Sequence, residues 1–74
     1  MKELKIGDKT YTINEIRYVD ILEWQGLGLS QNEITKKLLA KSTGISEEEI
    51  NNLSLRDGIS LQKVVNEVNG FDFQ

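Results

Sequence analysis

The chain of 74 residues contains no cysteine, no histidine and no proline. The first two absences exclude disulfides, thiolate nucleophiles, imidazole bases and the common zinc ligand sets. Hydrophobic runs are also short: none approaches the roughly 18 residues that a membrane helix needs, and residues 1–5 lack the apolar stretch of a signal peptide. The sequence therefore predicts a protein of a reducing compartment, the cytoplasm, with no membrane partner.

Basic residues are scarce in the second half of the chain. The formal net charge is −3, and from Gly44 onward six acidic residues accompany two basic ones. Affinity for nucleic acids depends on clusters of lysine and arginine that release counterions from the phosphate backbone, so this distribution argues against a nucleic-acid partner. The content of 38% hydrophobic and 28% charged residues is typical of a globular chain, and the length fits one small core.

Two alternating runs predict a β-hairpin over residues 2–13. Apolar and polar residues alternate in both runs, and Gly7-Asp8 lies between them. Glycine supplies the positive φ that a tight two-residue turn requires. Because a lone hairpin is only marginally stable in water, we expect this one to pack on the rest of the domain. The apolar positions are Leu4, Ile6, Tyr11 and Ile13.

Four helices are predicted at about residues 15–25, 31–42, 47–52 and 59–69, since apolar residues recur there at helical spacing. Ser30 and Ser46 each precede a glutamate by three residues, a capping box that starts the second and third helices. The start of the fourth helix is open between Leu55 and Ser60, and Gly70 is placed to end it as a left-handed cap. The sequence thus predicts one α+β domain over residues 1–74, with the hairpin packed on about four helices. The positions expected to face the core are Tyr18, Ile21, Leu22, Ile34, Leu38, Leu39, Ile45, Ile50, Leu53, Leu61, Val64, Val65 and Val68.

Twelve carboxylates could in principle form an acid–base pair or a metal site with oxygen ligands, but their spacing favours neither. Residues 47–49 are glutamates at a helix start, where the helix dipole favours acids and the side chains point in different directions. Gly26 and Gly28 lack the pattern of a phosphate-binding loop, so a helix stop is the better interpretation. We expect no catalytic, cofactor-binding or metal-binding residue and no small-molecule substrate. An enzyme would have to use Asp, Glu, Lys, Tyr and Ser in a deep pocket.

A few apolar residues are poorly accounted for by the predicted core. Trp24 lies off the stripe of the first helix; half-exposed aromatic residues are enriched at interfaces, although tryptophan in a small domain is about as often a core residue. Phe71 is expected to fold back on the domain. The predicted protein-binding residues are Trp24, Leu27, Leu29 and Phe73.

A competing pattern lies at residues 40–46, with the sequence AKSTGIS. It matches the turn of many helix-turn-helix domains, in which the following helix, here residues 46–53, enters the major groove of DNA. The three glutamates at residues 47–49 would then face the phosphates, and no basic residue follows until Arg56. Because carboxylates oppose binding to a polyanion, an ordinary helix corner is favoured, and a small DNA-binding regulator is the alternative.

The order of these features resembles that of the small tail assembly chaperones of long-tailed phages and prophages, over nearly the whole chain. None of the matching residues has a chemical role, so the resemblance depends on their order and spacing. The matching features are the hairpin at residues 4–13, a first helix beginning near Ile16-Arg17-Tyr18, LAKSTGISEEEI at residues 39–50, LSLRD at residues 53–57, and an apolar helix ending in Asn69-Gly70-Phe71.

This resemblance implies a non-enzymatic protein that binds the tape measure protein and keeps its long helical chain from aggregating. It also implies recruitment of major tail protein to the growing tube, a location in the cytoplasm of the bacterial host, and absence from the mature virion. Some such proteins self-associate. A protein of this kind needs apolar surface that can face another helix, enough net charge to stay dissolved, and no chemistry.

Overall fold

A computed structural model of the chain describes residues 2–70 and has the predicted fold class, a small α+β domain. An antiparallel two-stranded hairpin precedes four helices. These elements are β1 Lys2–Ile6, β2 Lys9–Ile13, α1 Tyr18–Gly26, α2 Gln31–Thr43, α3 Glu47–Asn51 and α4 Leu55–Asn69. No described helix combines the length and the apolar character that crossing a membrane requires. Phe71 and Phe73 lie outside the described residues.

The hairpin pairs as its alternation predicts. Leu4 lies opposite Tyr11, and a two-residue turn at Gly7-Asp8 joins the strands. Gly7 has a φ of +60°, the left-handed value that such a turn requires at its first central position. Tyr11 and Ile13 are buried, so the apolar face of the hairpin packs on the helices.

Serine caps begin the second and third helices; the predicted capping box is complete at the second, and its serine half is present at the third. Ser30 Oγ accepts the Glu33 N–H at 3.2 Å, and the Glu33 carboxylate accepts the Ser30 N–H at 3.1 Å. The hydrogen bonds from Ser30, the main-chain one foremost, lower the pKa of Glu33. Ser46 Oγ accepts the Glu49 N–H at 3.1 Å. Gly70 follows α4 with a φ of +75°, which confirms the predicted left-handed cap.

Helix α1 begins at Tyr18, later than the predicted start near residue 15. The Asn14 N–H donates to the Ser42 carbonyl at 2.9 Å, and the Ile16 N–H donates to Asn69 Oδ1 at 2.8 Å. These bonds to α2 and α4 hold the chain on a non-helical path through residues 14–17.

Helix α4 begins at Leu55 and not near residue 59. Ser54 Oγ accepts the Asp57 N–H at 3.1 Å, and the Gly58 N–H donates to the Ser54 carbonyl at 2.8 Å. The first turn of the helix therefore includes Asp57 and Gly58. The spacing of Ser54 and Asp57 is itself a capping signal, and it identifies this start from sequence.

The core lies where the hairpin meets α2 and α4. Ile45, Ile50 and Leu53, predicted to face inward around α3, are partly buried against it. Most predicted core positions of α2 and α4 are buried or partly buried, because apolar residues at helical spacing form one continuous stripe there. The buried residues of the hydrophobic core are Ile13, Leu38, Leu39, Leu61 and Val65.

A buried side chain on α4 lacks a hydrogen-bond partner. Asn66 is 9% exposed, and its Oδ1 atom accepts no hydrogen bond within residues 2–70. An unsatisfied buried polar group destabilises a fold by roughly 1–3 kcal/mol. We therefore expect Asn66→Leu, which has similar volume and higher helix propensity, to raise the free energy of unfolding by about 1 kcal/mol. Urea unfolding measures this change. Asn66→Asp is the control, because it buries a charge at the same position and should lower the free energy of unfolding. A lower free energy of unfolding for Asn66→Leu would contradict the expectation.

Candidate protein-binding surface

Helix α1 turns an apolar side to solvent. Tyr18, Val19 and Leu22 are 76%, 41% and 46% exposed. Leu22 lies one helical turn from both Tyr18 and Val19, so the three side chains form one patch, which we call the α1 apolar face. The prediction that Tyr18 and Leu22 face the core is therefore wrong.

A carboxylate and a tryptophan set the rotation of α1. Asp20 and Trp24 lie one turn apart on the inward side; Asp20 is 5% exposed, and Trp24 packs against the core. The Asp20 carboxylate accepts the Arg17 N–H at 3.1 Å and lies 3.5 Å from Nζ of Lys41 on α2. A buried carboxylate needs such partners, and Trp24 has the largest apolar area of the helix. Because these two side chains turn inward, Leu22 is left outside.

A polar junction fixes where α1 begins. Ser42 is fully buried near the end of α2; its hydroxyl donates to the Asn14 carbonyl, and its own carbonyl accepts the Asn14 N–H. Asn69 Oδ1 accepts the Ile16 N–H at 2.8 Å. Asn69 Nδ2 donates to the Val65 carbonyl at 2.9 Å and to Ser42 Oγ at 3.3 Å. This Ser42–Asn69 junction joins the end of the hairpin to the C-terminal ends of α2 and α4, and so positions the segment that leads into α1.

A half-open hollow of about 250 Å³ adjoins the α1 apolar face. Tyr18 and Ile21 of α1 line it together with Ile16, Arg17 and Asn69. Tyr18 belongs to both features, so the face and the hollow are continuous. An apolar ridge beside a hollow is a shape that can accept one side of another helix.

Of the four residues predicted to bind a partner, the three within residues 2–70 do not form one surface. Trp24 packs against the core, and Leu29 is partly buried. Leu27 is 71% exposed, but at 100° per residue it lies roughly 140° around the helix axis from Leu22. Phe73 lies outside the described residues. Among those of the four that lie within residues 2–70, Leu27 is the one that is exposed to solvent.

Reasoning from the sequence missed the α1 apolar face, although one signal could have found it. The helical wheel was oriented on Tyr18, Ile21 and Leu22, which outnumber Trp24. Orienting it instead on Trp24, the largest side chain, places Tyr18 and Leu22 outside. Asp20 then lies inside, where it needs the cation that Lys41 supplies.

Lysines near the start of α3 are paired with its glutamates. Nζ of Lys37 lies 3.5 Å from the Glu47 carboxylate, and Nζ of Lys9 lies 3.6 Å from that of Glu49. Carboxylates therefore neutralise the positive charges of α2 and the hairpin at this corner. A corner of this kind does not attract a phosphate backbone.

Within residues 2–70, the carboxylates form no group of three or more that could hold a metal ion. No protein-family model, curated protein or solved structure matches the chain. The candidate surface is thus defined by its own geometry: three apolar side chains on one side of α1, and the adjoining hollow.

Proposed function

We propose that this chain is a non-enzymatic phage or prophage tail assembly chaperone, which binds a helical segment of the tape measure protein through the α1 apolar face. The observation that carries the proposal is the exposure of Tyr18, Val19 and Leu22 on one side of a helix. A small domain rarely leaves such a patch uncovered unless a partner uses it. The tape measure protein is proposed as the partner because the order of the sequence motifs resembles that of tail assembly chaperones.

The geometry suits an amphipathic helix as the ligand. A helix presents apolar anchors at i, i+3 and i+4, and these can pack on Leu22 and Val19 while one side chain enters the hollow beside Tyr18. The net charge of −3 helps to keep the complex dissolved while apolar segments of the tape measure protein are covered. The proposal includes the bacterial cytoplasm as the site of action, recruitment of major tail protein, and absence from the virion; these follow from the resemblance alone.

The helix-turn-helix alternative receives less support. The helix that would enter the major groove, α3, spans only Glu47–Asn51 and begins with three glutamates. Two of these carboxylates lie within ion-pair distance of Lys37 and Lys9. A recognition helix needs the opposite arrangement, with basic or polar side chains directed at the DNA.

Capture of the tape measure protein tests the proposed surface. The chain is co-expressed with tape measure fragments of the same genome, and retention is measured by co-purification and titration. We expect Leu22→Ser to weaken binding by at least about tenfold, because burying one leucine contributes roughly 1.5–3 kcal/mol. Leu27→Ser is the matched control, an exposed leucine on another side of the chain.

Two results would count against the proposal. Loss of capture by Leu27→Ser and not by Leu22→Ser would move the site to the residues predicted from sequence. Tight binding to duplex DNA at low salt, without capture of any tape measure fragment, would favour the DNA-binding alternative.

A further inference from the structure

The first turns of α4 expose a second apolar patch. Leu55 is 81% exposed and Ile59 is 58% exposed. The two residues lie four apart on one helix, so their side chains are neighbours on the same side. At 100° per residue, Ile59 lies roughly 160° around the helix axis from the buried Leu61, so the patch is on the side of α4 that faces away from the core.

Basic side chains border this patch. Arg56 and Lys63 each lie one helical turn from Ile59, and both are exposed. They are the only basic residues from Gly44 onward, where six acidic residues also occur. Neither forms an ion pair within residues 2–70. From Gly44 onward, both basic residues therefore lie beside the exposed Leu55 and Ile59.

The two acidic residues of α4 do not form ion pairs with these cations. Asp57 is partly buried and lies roughly 160° around the axis from Ile59 at 100° per residue. Glu67 lies one turn beyond Lys63, and its carboxylate is 3.1 Å from Nζ of Lys2 on the hairpin. The border of the patch thus carries two cations that form no ion pair with a carboxylate of residues 2–70.

We propose that the surface formed by Leu55, Arg56, Ile59 and Lys63, here called the α4 basic surface, binds an acidic amphipathic helix of a partner protein. The apolar centre requires apolar anchors, and the cationic border requires carboxylates around them. A phosphate backbone would satisfy Arg56 and Lys63 but would leave Leu55 and Ile59 exposed. This inference goes beyond the proposed chaperone function, since it concerns a different helix and a partner of defined charge.

Two synthetic amphipathic peptides test the inference on the full chain. Both have leucines on one helical face; one has glutamates on the other face and the second has lysines. Binding is followed by chemical-shift changes of the backbone amides. We expect the glutamate peptide to shift the resonances of residues 55–63 and to bind about tenfold more tightly than the lysine peptide at low salt, with the difference shrinking as salt screens the charges.

Variants separate the contributions of charge and apolar area. Ile59→Ser should weaken binding of the glutamate peptide about tenfold, and the double variant R56E/K63E should reverse the preference between the peptides. Leu27→Ser, at an exposed leucine outside both proposed surfaces, is the matched control and should leave this binding unchanged. All these positions are exposed, and circular dichroism checks that each variant is folded.

Several outcomes would overturn the inference: no peptide binding, equal affinity for both peptides, or shifts centred on α1. Duplex DNA is the third ligand tested, after the two peptides. Binding to DNA that R56E/K63E abolishes and Ile59→Ser leaves intact would identify a phosphate contact instead. If the tape measure protein is not captured but the glutamate peptide binds as expected, the proposed function fails and the α4 basic surface stands.

Discussion

Leu61→Ala is expected to lower the free energy of unfolding by about 3 kcal/mol, within the range of 2–5 kcal/mol for buried leucines. Leu61 is fully buried at the centre of the core, in a cluster that also contains Ile13 and Val65. A domain of this length has a total stability of roughly 4–11 kcal/mol. The substitution therefore removes between about a quarter and three quarters of the stability.

Urea unfolding followed by circular dichroism measures this loss. The matched control is Leu55→Ala, the same substitution in the same helix at a position that is 81% exposed. The control should change stability by no more than about 0.5 kcal/mol, because surface substitutions remove little apolar burial. Similar losses for Leu61→Ala and Leu55→Ala would show that the core lies elsewhere on α4.

Asn69→Ala is expected to destabilise the fold by about 2–3 kcal/mol, more than a single hydrogen bond usually contributes. The substitution removes the acceptor of the Ile16 N–H and the donor to Ser42 Oγ together. The Ile16 N–H would be left part-buried without its acceptor, and Ser42 Oγ would keep only its bond to the Asn14 carbonyl, in a network where each bond supports the next. Since the Ser42–Asn69 junction positions the segment before α1, the effect should be largest there.

Amide hydrogen exchange locates the effect of Asn69→Ala. The Ile16 amide should lose protection, while the amides of the hairpin should exchange at rates set by the overall stability. Asn69→Asp is the informative comparison, because it keeps the oxygen acceptor for the Ile16 N–H and removes the donor. Its Ile16 amide should keep more protection than that of Asn69→Ala, although a carboxylate beside the Val65 carbonyl at the C-terminal end of α4 is itself destabilising. Full protection of the Ile16 amide in Asn69→Ala would refute the role of the junction.

Much of the fold was predictable from local pattern. Alternation over Lys2–Ile6 and Lys9–Ile13 defines the hairpin, and the i, i+3, i+4 spacing of Leu61, Val64 and Val65 defines the buried side of α4. These elements follow their patterns because each has a single continuous apolar side. The start of α4 was predictable too, from Ser54 three residues before Asp57.

The candidate site was not predictable in the same way, because α1 has apolar residues on more than one side. Tyr18, Ile21, Leu22 and Trp24 leave two orientations of similar apolar area, and local spacing cannot choose between them. The choice depends on Asp20 meeting Lys41 of α2, a contact between distant parts of the chain. The same ambiguity hid the α1 apolar face.

The Ser42–Asn69 junction also has a consequence for synthesis of the protein on the ribosome. The Ile16–Asn69 hydrogen bond spans 53 residues, and the Lys2–Glu67 pair spans 65. A nascent chain therefore cannot complete the junction that fixes the start of α1 until the last turn of α4 has left the exit tunnel. We expect the patch of Tyr18, Val19 and Leu22 to reach its final position on the domain only after the whole domain has been translated.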